Sequence, residues 1–220
     1  MPRDRSGPET LQDILPVSRE TGERLTALVQ LVEKWQKAEN LVANATLKDI
    51  WTRHVADSAQ LVPLFPDVRH WLDLGSGGGF PGLVVALLVA ESPGARVHLV
   101  ESNTRKCAFL RTVIRETGAP AEVHQGRIAD VLADWSQPTE MVTARALASL
   151  TALLDMTAPL LGRGCRAAFL KGVEYRTEIA EASQSFDLDL VIHPRRVAEG
   201  SVILETRRAV AKPDGPKARR

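Results

Sequence analysis

Residues 70–82 read HWLDLGSGGGFPG, and this stretch limits the fold more than any other in the chain. Trp71-Leu72-Asp73-Leu74 is a short apolar strand. Gly75, Gly77, Gly78 and Gly79 break it, and after Phe80-Pro81-Gly82 the run LVVALLVAE is apolar enough to form a buried helix. Strand, glycine turn and helix in that order bring backbone N–H groups close to a ligand. Glycines packed this densely lose much chain entropy on folding, which argues against a turn used for packing alone.

The remaining chain divides around that stretch. Residues 1–7 are a polar lead, expected to be disordered, and Pro8-Glu9-Thr10 opens a short helix to Leu15. Ser18 is placed to cap a helix over 19–39, with Glu20 and Glu23 in its first turn and Leu25, Leu28, Val29, Val32 and Trp35 at helical spacing. After a turn at 40–44, a second helix starts at Thr46 or Leu47. It carries Ile50, Trp51, His54, Val55, Ser58 and Leu61 on one side and ends before Pro63. No strand alternation occurs before residue 68, so 1–67 reads as a helical N-terminal subdomain.

From residue 68 strands and helices alternate. Strands are predicted at 96–100, 121–124, 140–144 and 166–170, and helices at 104–117, 148–161 and 174–185. An antiparallel pair at 188–193 and 201–208 is joined across Ala198-Glu199-Gly200. This predicts an α/β core over 68–210, with a mostly parallel sheet, helices on both faces and one antiparallel edge strand. The basic tail, 211–220, is expected to be disordered.

Composition narrows the chemistry. The formal net charge is +1, so no global basic field announces a nucleic-acid partner and any grip on RNA needs local patches. Cys107 and Cys165 form no CxxC and have no His pair nearby. That argues against a zinc site and a disulfide framework, and fits a reducing cytoplasm. The longest apolar run, 83–90, is too short to span a membrane, and the first residues lack the apolar centre of a signal peptide. A cytoplasmic monomer with no metal and no membrane contact is expected.

Ligands on such sheets bind at the carboxyl ends of the strands. The dinucleotide fingerprint G-x-G-x-x-G would need glycine where Phe80 stands, and no Gly-Lys-Ser/Thr follows to make a Walker loop. The run from Asp73 is instead D-x-G-x-G-x-G. Glu101, at the end of the next strand, is placed to accept from ribose hydroxyls. S-adenosylmethionine carries no phosphate, and this form suits it better than NAD, although the acid alone does not separate the two. Gly75, Gly77, Gly79, Phe80 and Glu101 are therefore cofactor candidates, with the backbone of Ile128 and Ala129 beside the adenine.

Other strand ends add cations. Arg145 follows the fourth strand, where a partly buried charge needs a partner such as a cofactor carboxylate or an RNA phosphate. Arg127 follows the third strand and Lys171 the fifth. Asp130 reads as an ordinary first-turn acid. His54 and Asp57, three residues apart, read by themselves as the polar face of a helix. The two cysteines read as core residues, neither in a Pro-Cys context. The Asn/Asp-Pro-Pro-Tyr motif of amine methylation is absent where Thr143-Ala144-Arg145-Ala146 stands.

Assembled, these residues resemble the RsmG (GidB) family across 20–208. The matching pieces are KWQKAENLV at 34–42, RHVADS at 53–58, LDLGSGGGFPG at 72–82, VESNTRKCAFLR at 100–111, GRIAD at 126–130, ARALASL at 144–150 and FLKG at 169–172. Many methyltransferases share the glycine run. The combination of RHxxDS, GFPG, ARA-x-ASL and LKG is far more specific.

The resemblance implies a class I, Rossmann-like methyltransferase that uses S-adenosyl-L-methionine to modify guanine N7 in small-subunit (16S) ribosomal RNA. Its partner would be that RNA or the 30S particle. Gly75 and Phe80 match cofactor-contacting positions, Ile128 and Ala129 the pair beside the adenine, Glu101 the acidic strand end, and Arg145 the cofactor-site arginine. Arg127 and Lys171 match RNA or pocket contacts. His54 and Asp57 become a site-facing motif. Two departures stand out: Asn40-Leu41-Val42 replaces Asn-Leu-Thr, and Ser76 replaces the threonine of Gly-Thr-Gly.

Guanine N7 has a lone pair and no proton, so direct in-line attack needs no general base and the enzyme works by positioning. RNA-facing cations are expected among Arg53, Arg127, Arg145, Lys171, Arg195, Arg196 and the tail residues Lys212, Lys217, Arg219 and Arg220. The alternatives are a methyltransferase of a small molecule or protein, and a non-catalytic cofactor-binding RNA or regulatory protein.

Overall fold

The computed structural model describes residues 7–197 and 199–213. The lead at 1–6, Ala198 and the tail at 214–220 lie outside them, and with these the expectations placed on those residues. The start of the expected tail is ordered by pairing: Ala211 closes the last strand of the sheet, and Lys212, expected to face RNA, donates its N–H to Ser185 O and its Nζ to Ser183 O, each at 2.8 Å. The N-terminal part contains a 3₁₀ turn Pro8–Leu11, the long helix α1 (Arg19–Gln36), and then a succession of short turns. These are α2 (Asn44–Leu47), a π-turn Trp51–Ala56, α3 (Asp57–Ala59) and α4 (Leu61–Leu64).

Two boundaries differ from expectation. Helix α1 is capped by Ser18, whose side chain accepts from Thr21 N–H at 3.1 Å, but it ends at Gln36. The Gln36 amide turns back to serve the following loop: its Oε1 accepts from Leu41 and Val42 N–H, and its Nε2 donates to Val42 O. The second helix is not continuous. It widens into the π-turn and restarts, and Pro63 lies inside α4. There, in the first turn, its missing N–H costs no intrahelical bond.

Among the described residues seven strands make one sheet: β1 His70–Leu74, β2 Arg96–Glu101, β3 Ala121–Gln125, β4 Met141–Arg145, β5 Arg166–Lys171, β6 Phe186–Pro194 and β7 Val202–Ala211. Their order is β3-β2-β1-β4-β5-β7-β6. β1 to β5 are parallel, and β7 is antiparallel to both its neighbours. The reversed strand therefore lies one in from the edge and β6 takes the edge itself. Its composition explains this: Val202-Ile203-Leu204 of β7 are buried, whereas β6 alternates between covered and exposed residues.

Helices α5 (Gly82–Leu88), α6 (Thr104–Thr117), α7 (Ile128–Ala133), α8 (Leu150–Leu161) and α9 (Tyr175–Ser185) connect the strands. Period-2 alternation in β1 divides the core: Trp71 packs on one face, with Leu83, Leu99 and Phe109, and Leu72 and Leu74 on the other, with Leu153 and Phe169. Leu25 and Leu28 of α1 and Val55 belong to the first of these clusters, so the N-terminal turns and the sheet share one core. Strand order reverses at β1, whose neighbours are β2 and β4, and ligand clefts open at such a switch point. Among the described residues no helix is long and apolar enough to cross a membrane.

Candidate active site

The glycine loop leaves β1 and is tied down by its own amides. Gly75 and Ser76 N–H donate to Val100 O at 2.9 and 3.1 Å, and Gly79 N–H to Ser76 O at 2.7 Å. Gly77 N–H donates to Glu101 Oε2 at 2.9 Å, and Gly82 N–H to Asp73 Oδ2 at 3.2 Å. Gly75, Gly77 and Gly79 have φ of 67°, 51° and 87°, which side chains with a Cβ rarely adopt. Gly78 is required for a different reason: a Cβ there would stand 2.8 Å from Leu41 O.

Asp73 anchors the loop from beneath. It is paired in register with Thr143 of β4, whose hydroxyl donates to Asp73 Oδ1 at 2.7 Å. Burial pushes the Asp73 carboxyl up to about 6, and the bonds from Thr143 and Gly82 hold it down against that.

A cavity of about 620 Å³ opens beside the loop, lined by Gly75, Gly77, Glu101, Arg127, Ile128 and Ala129 among others. This volume suits a nucleoside-sized ligand. Its chemistry selects against phosphate. Five loop amides that a phosphate would need are spent inside the protein, and the Glu101 carboxylate forms part of the wall. Glu101 Oε1 also accepts from Asn103 N–H, and its remaining lone pairs suit ribose hydroxyls. An adenosine without phosphates, as in S-adenosylmethionine, fits this donor set.

A second cavity, of about 370 Å³, shares Gly75, Gly77, Lys106 and Ala146 with the first. Its far wall is the N-terminal part: Leu41, Val42, Ala43, Thr46 and His54. The Thr46 hydroxyl donates its one proton to Ala43 O, so at 2.8 Å it accepts from His54 Nε2–H. The Nδ1 of His54 then carries the lone pair. Burial lowers His54 to about 3, helped by the charges of Arg145 and Arg53, and its ring tilts over Phe80 at a centroid distance of 5.0 Å. His54 is thus a neutral acceptor in the cavity wall.

Arg145 also lines this cavity. Its Nη2 donates to Arg53 O at 2.9 Å, and its buried Nη1, 3.6 Å from Asp57 Oδ2, makes no hydrogen bond. Burial pulls this guanidinium below its ordinary value against the attraction of Asp57. An unused buried N–H beside a ligand cavity is a place for a carboxylate.

Asp57 is fully buried and lines neither cavity. Arg195 clamps it in a fork, Nε to Oδ1 at 2.7 Å and Nη2 to Oδ2. The neighbouring Arg196 N–H donates to Gln60 Oε1 at 2.6 Å. These bonds fasten the β6–β7 connection to the N-terminal turns and hold Arg145 between them.

Of the predicted residues, Gly75, Gly77, Phe80, Glu101, Arg127, Ile128, Ala129, Arg145 and His54 line the joined cavities. Gly79 shapes the loop from outside them. Lys171 is engaged elsewhere: its Nζ donates to Glu178 at 2.6 Å and to Ala148 O at 2.8 Å, and Glu178 also receives Leu150 N–H. With Arg195 committed to Asp57, the set of RNA-facing cations shrinks, whereas Arg53 and Arg127 stay exposed.

Sequence reasoning missed Lys106, Ala146, Thr46 and Gln36. Ala146 has φ 51°, a left-handed conformation uncommon for alanine, directly after Arg145. The family segments KWQKAENLV and VESNTRKCAFLR contain Gln36 and Lys106, but the contacts that give them meaning are tertiary.

The family described as "GidB: rRNA small subunit methyltransferase G" matches residues 21–201. A "Ribosomal RNA small subunit methyltransferase G" from a Bradyrhizobium species (strain BTAi1) is 49% identical over 83% of this chain and 82% of its own length. The protein of that name from Brucella anthropi is 48% identical over 90% and 92%. In fold, the chain is similar to an O-methyltransferase from Bacillus cereus solved in complex with SAH. The TM-score is 0.56 at 14% identity, covering 91% of this chain and 96% of that one.

Proposed function

The chain belongs to the GidB family, ribosomal RNA small subunit methyltransferase G, and from that premise we propose that it methylates N7 of a guanosine in 16S ribosomal RNA. It is an S-adenosylmethionine-dependent methyltransferase of small-subunit ribosomal RNA. The observation that carries the reading of its site is the pair of joined cavities. One excludes phosphate and presents a carboxylate; the other is walled by a neutral histidine, a phenylalanine and an arginine with an unused N–H.

In this reading Gly75, Gly77, Glu101, Ile128 and Ala129 hold the adenosine, and Arg145 Nη1 faces the cofactor's carboxylate. When bound, the cofactor supplies an electrophilic methyl group. Guanine N7 carries no proton, so no residue has to accept one. His54 matches that requirement: held neutral, with its Nε2–H fixed by Thr46, it accepts an N–H of the base through Nδ1 while Phe80 offers an apolar face. Asp57 acts through Arg145 as a positioning residue. Positioning of this kind lowers a barrier by ~7–11 kcal/mol. Arg53 and Arg127 face phosphates, away from the ring that gains positive charge.

Transfer of labelled methyl to 30S subunits and to naked 16S RNA, with mapping of the product, tests this. One N7-methylated guanosine is expected, and no incorporation into either substrate would sink the reading. His54→Gln should lower kcat about tenfold, the loss of one positioning hydrogen bond, with affinity for S-adenosylhomocysteine unchanged. Unchanged kcat and KM would remove His54 from the mechanism.

A further inference from the structure

Away from the cleft, the register of β2 and β3 assembles a second group of chemistry-bearing side chains. His98 is paired with Glu122, and Val100 with His124. Paired residues share a face, as do residues two apart on one strand, so His98, Glu122 and His124 project to the same side. One ligand atom from each lies within 4.8 Å of the other two. The imidazoles meet directly, with His98 Nδ1 2.9 Å from His124 Nε2.

Trp135 holds both rings. Its indole stands edge-on to His98 at a centroid distance of 5.2 Å and to His124 at 5.0 Å, and its Nε1 is tied to Thr139 at 2.9 Å. The hydrogen bond between them takes a proton from one imidazole and a lone pair from the other, so an ion that takes the place of that proton, released to the other ring nitrogen or to water, meets a lone pair on each ring.

We infer that His98, Glu122 and His124 form a binding site for a divalent transition metal ion of the zinc type. Two imidazole nitrogens and one carboxylate oxygen are a ligand set such an ion accepts, with water completing a tetrahedron. Two nitrogens on one zinc ion stand roughly 3.3 Å apart, as the usual Zn–N length dictates, so the nitrogens need separate by only a few tenths of an ångström while the rings turn to aim both lone pairs at the ion. Glu122 is exposed at the strand edge and gives the ion its entry path.

Cysteine spacing does not reveal this site, because its ligands come from two strands and meet only through the register. Its position suggests its use. Glu101 lies three residues beyond His98 and Arg127 three beyond His124, about 10 Å along each strand. A metal here would brace β2, β3 and the Trp135 segment after α7, which together carry the adenosine side of the cleft. It would take no part in methyl transfer.

The test uses the full-length protein, stripped with a chelator and titrated with Zn²⁺ alone. Calorimetry and thermal denaturation are run beside Glu122→Gln and His124→Gln. Wild type should bind one ion per chain with a rise in Tm. Both variants should bind about tenfold more weakly or worse. The metal-free Tm of Glu122→Gln should equal that of wild type, so this variant decides if His124→Gln fails to fold. Co²⁺ should give the visible bands of a four-coordinate site in wild type and lose them in Glu122→Gln. An unchanged wild-type Tm with Zn²⁺, or equal binding by Glu122→Gln, would overturn the proposal and leave a hydrogen-bonded imidazole pair.

Discussion

Glu101 and Gly77, which meet in the adenosine half of the cleft, are 24 residues apart in the chain, whereas Asp57 and Arg195, which hold up the acceptor half, are 138 apart. In the adenosine half a strand, its loop and the next strand are sufficient, and the bonds run mostly through backbone amides. The acceptor half exists only once the N-terminal turns, the end of β4 and the β6–β7 connection have closed on one buried carboxylate. The first half is a local unit of the fold. The second is a long-range assembly whose integrity rests on charge, and damage to the two halves should therefore read out differently.

The largest effect is expected at the keystone of the assembly. Asp57→Ala leaves Arg195 and Arg145 facing each other with no carboxylate between them, both of them largely buried. Breaking a buried pair from one side costs about 3–5 kcal/mol, and urea denaturation should show a loss of that size. Methyl transfer should fall with it, while the folded fraction loses only the part of its affinity for S-adenosylhomocysteine that Arg145 supplies, a smaller loss than that of activity. If that affinity drops as far as activity does, the two halves are not separable and the comparison breaks.

The converse substitution acts on the local half. Glu101→Gln replaces one acceptor oxygen with an amide that cannot receive both Gly77 and Asn103 N–H. Affinity for S-adenosylhomocysteine should weaken about tenfold, equivalent to about 1.4 kcal/mol, with a smaller change in stability than Asp57→Ala produces. A stability loss matching that of Asp57→Ala would mean that the loop is part of the long-range assembly after all.

The same contrast explains what was legible in the sequence. Gly75, Phe80, Glu101, Ile128 and Ala129 were readable because strand, turn and strand end fix their neighbours within a short span of chain. The α6 boundaries, Thr104–Thr117, were readable for the same reason: an Asn103 cap at one end and Gly118 in the left-handed region at the other. Lys171 and Arg145 looked alike as cations at strand ends. Only the fold shows that Lys171 is spent on Glu178, whereas Arg145 keeps an N–H.

Gly78 was read as part of a turn, yet its reason is the Leu41 carbonyl brought over by Gln36. The edge position was assigned to the reversed strand because sequence order does not say which arm of a hairpin the sheet prefers; burial of Val202-Ile203-Leu204 decides it. Contacts of long separation carry no periodic signature, and those were the ones missed.

Asp73 tests the comparison most finely, since it joins the loop through Gly82, nine residues on, and β4 through Thr143, 70 residues on, and so ties the local half to the strand that carries Arg145. Its folded-state value of about 6 lies above the ordinary 3.8. Between these two values the native state holds a proton that the unfolded state releases. The contribution of this group to stability is therefore full below the lower value and is lost as pH rises through the upper one. Going from pH 7 to pH 5 should return roughly 1 kcal/mol from this group. Other groups titrate in the same window, and Asp73→Asn cancels them: the stability of wild type minus that of the variant should be larger at pH 5 than at pH 7 by about that amount. An equal difference at both pH values would mean that the hydrogen bonds from Thr143 and Gly82 fully offset burial, and the local half would then carry no strain in its anchor.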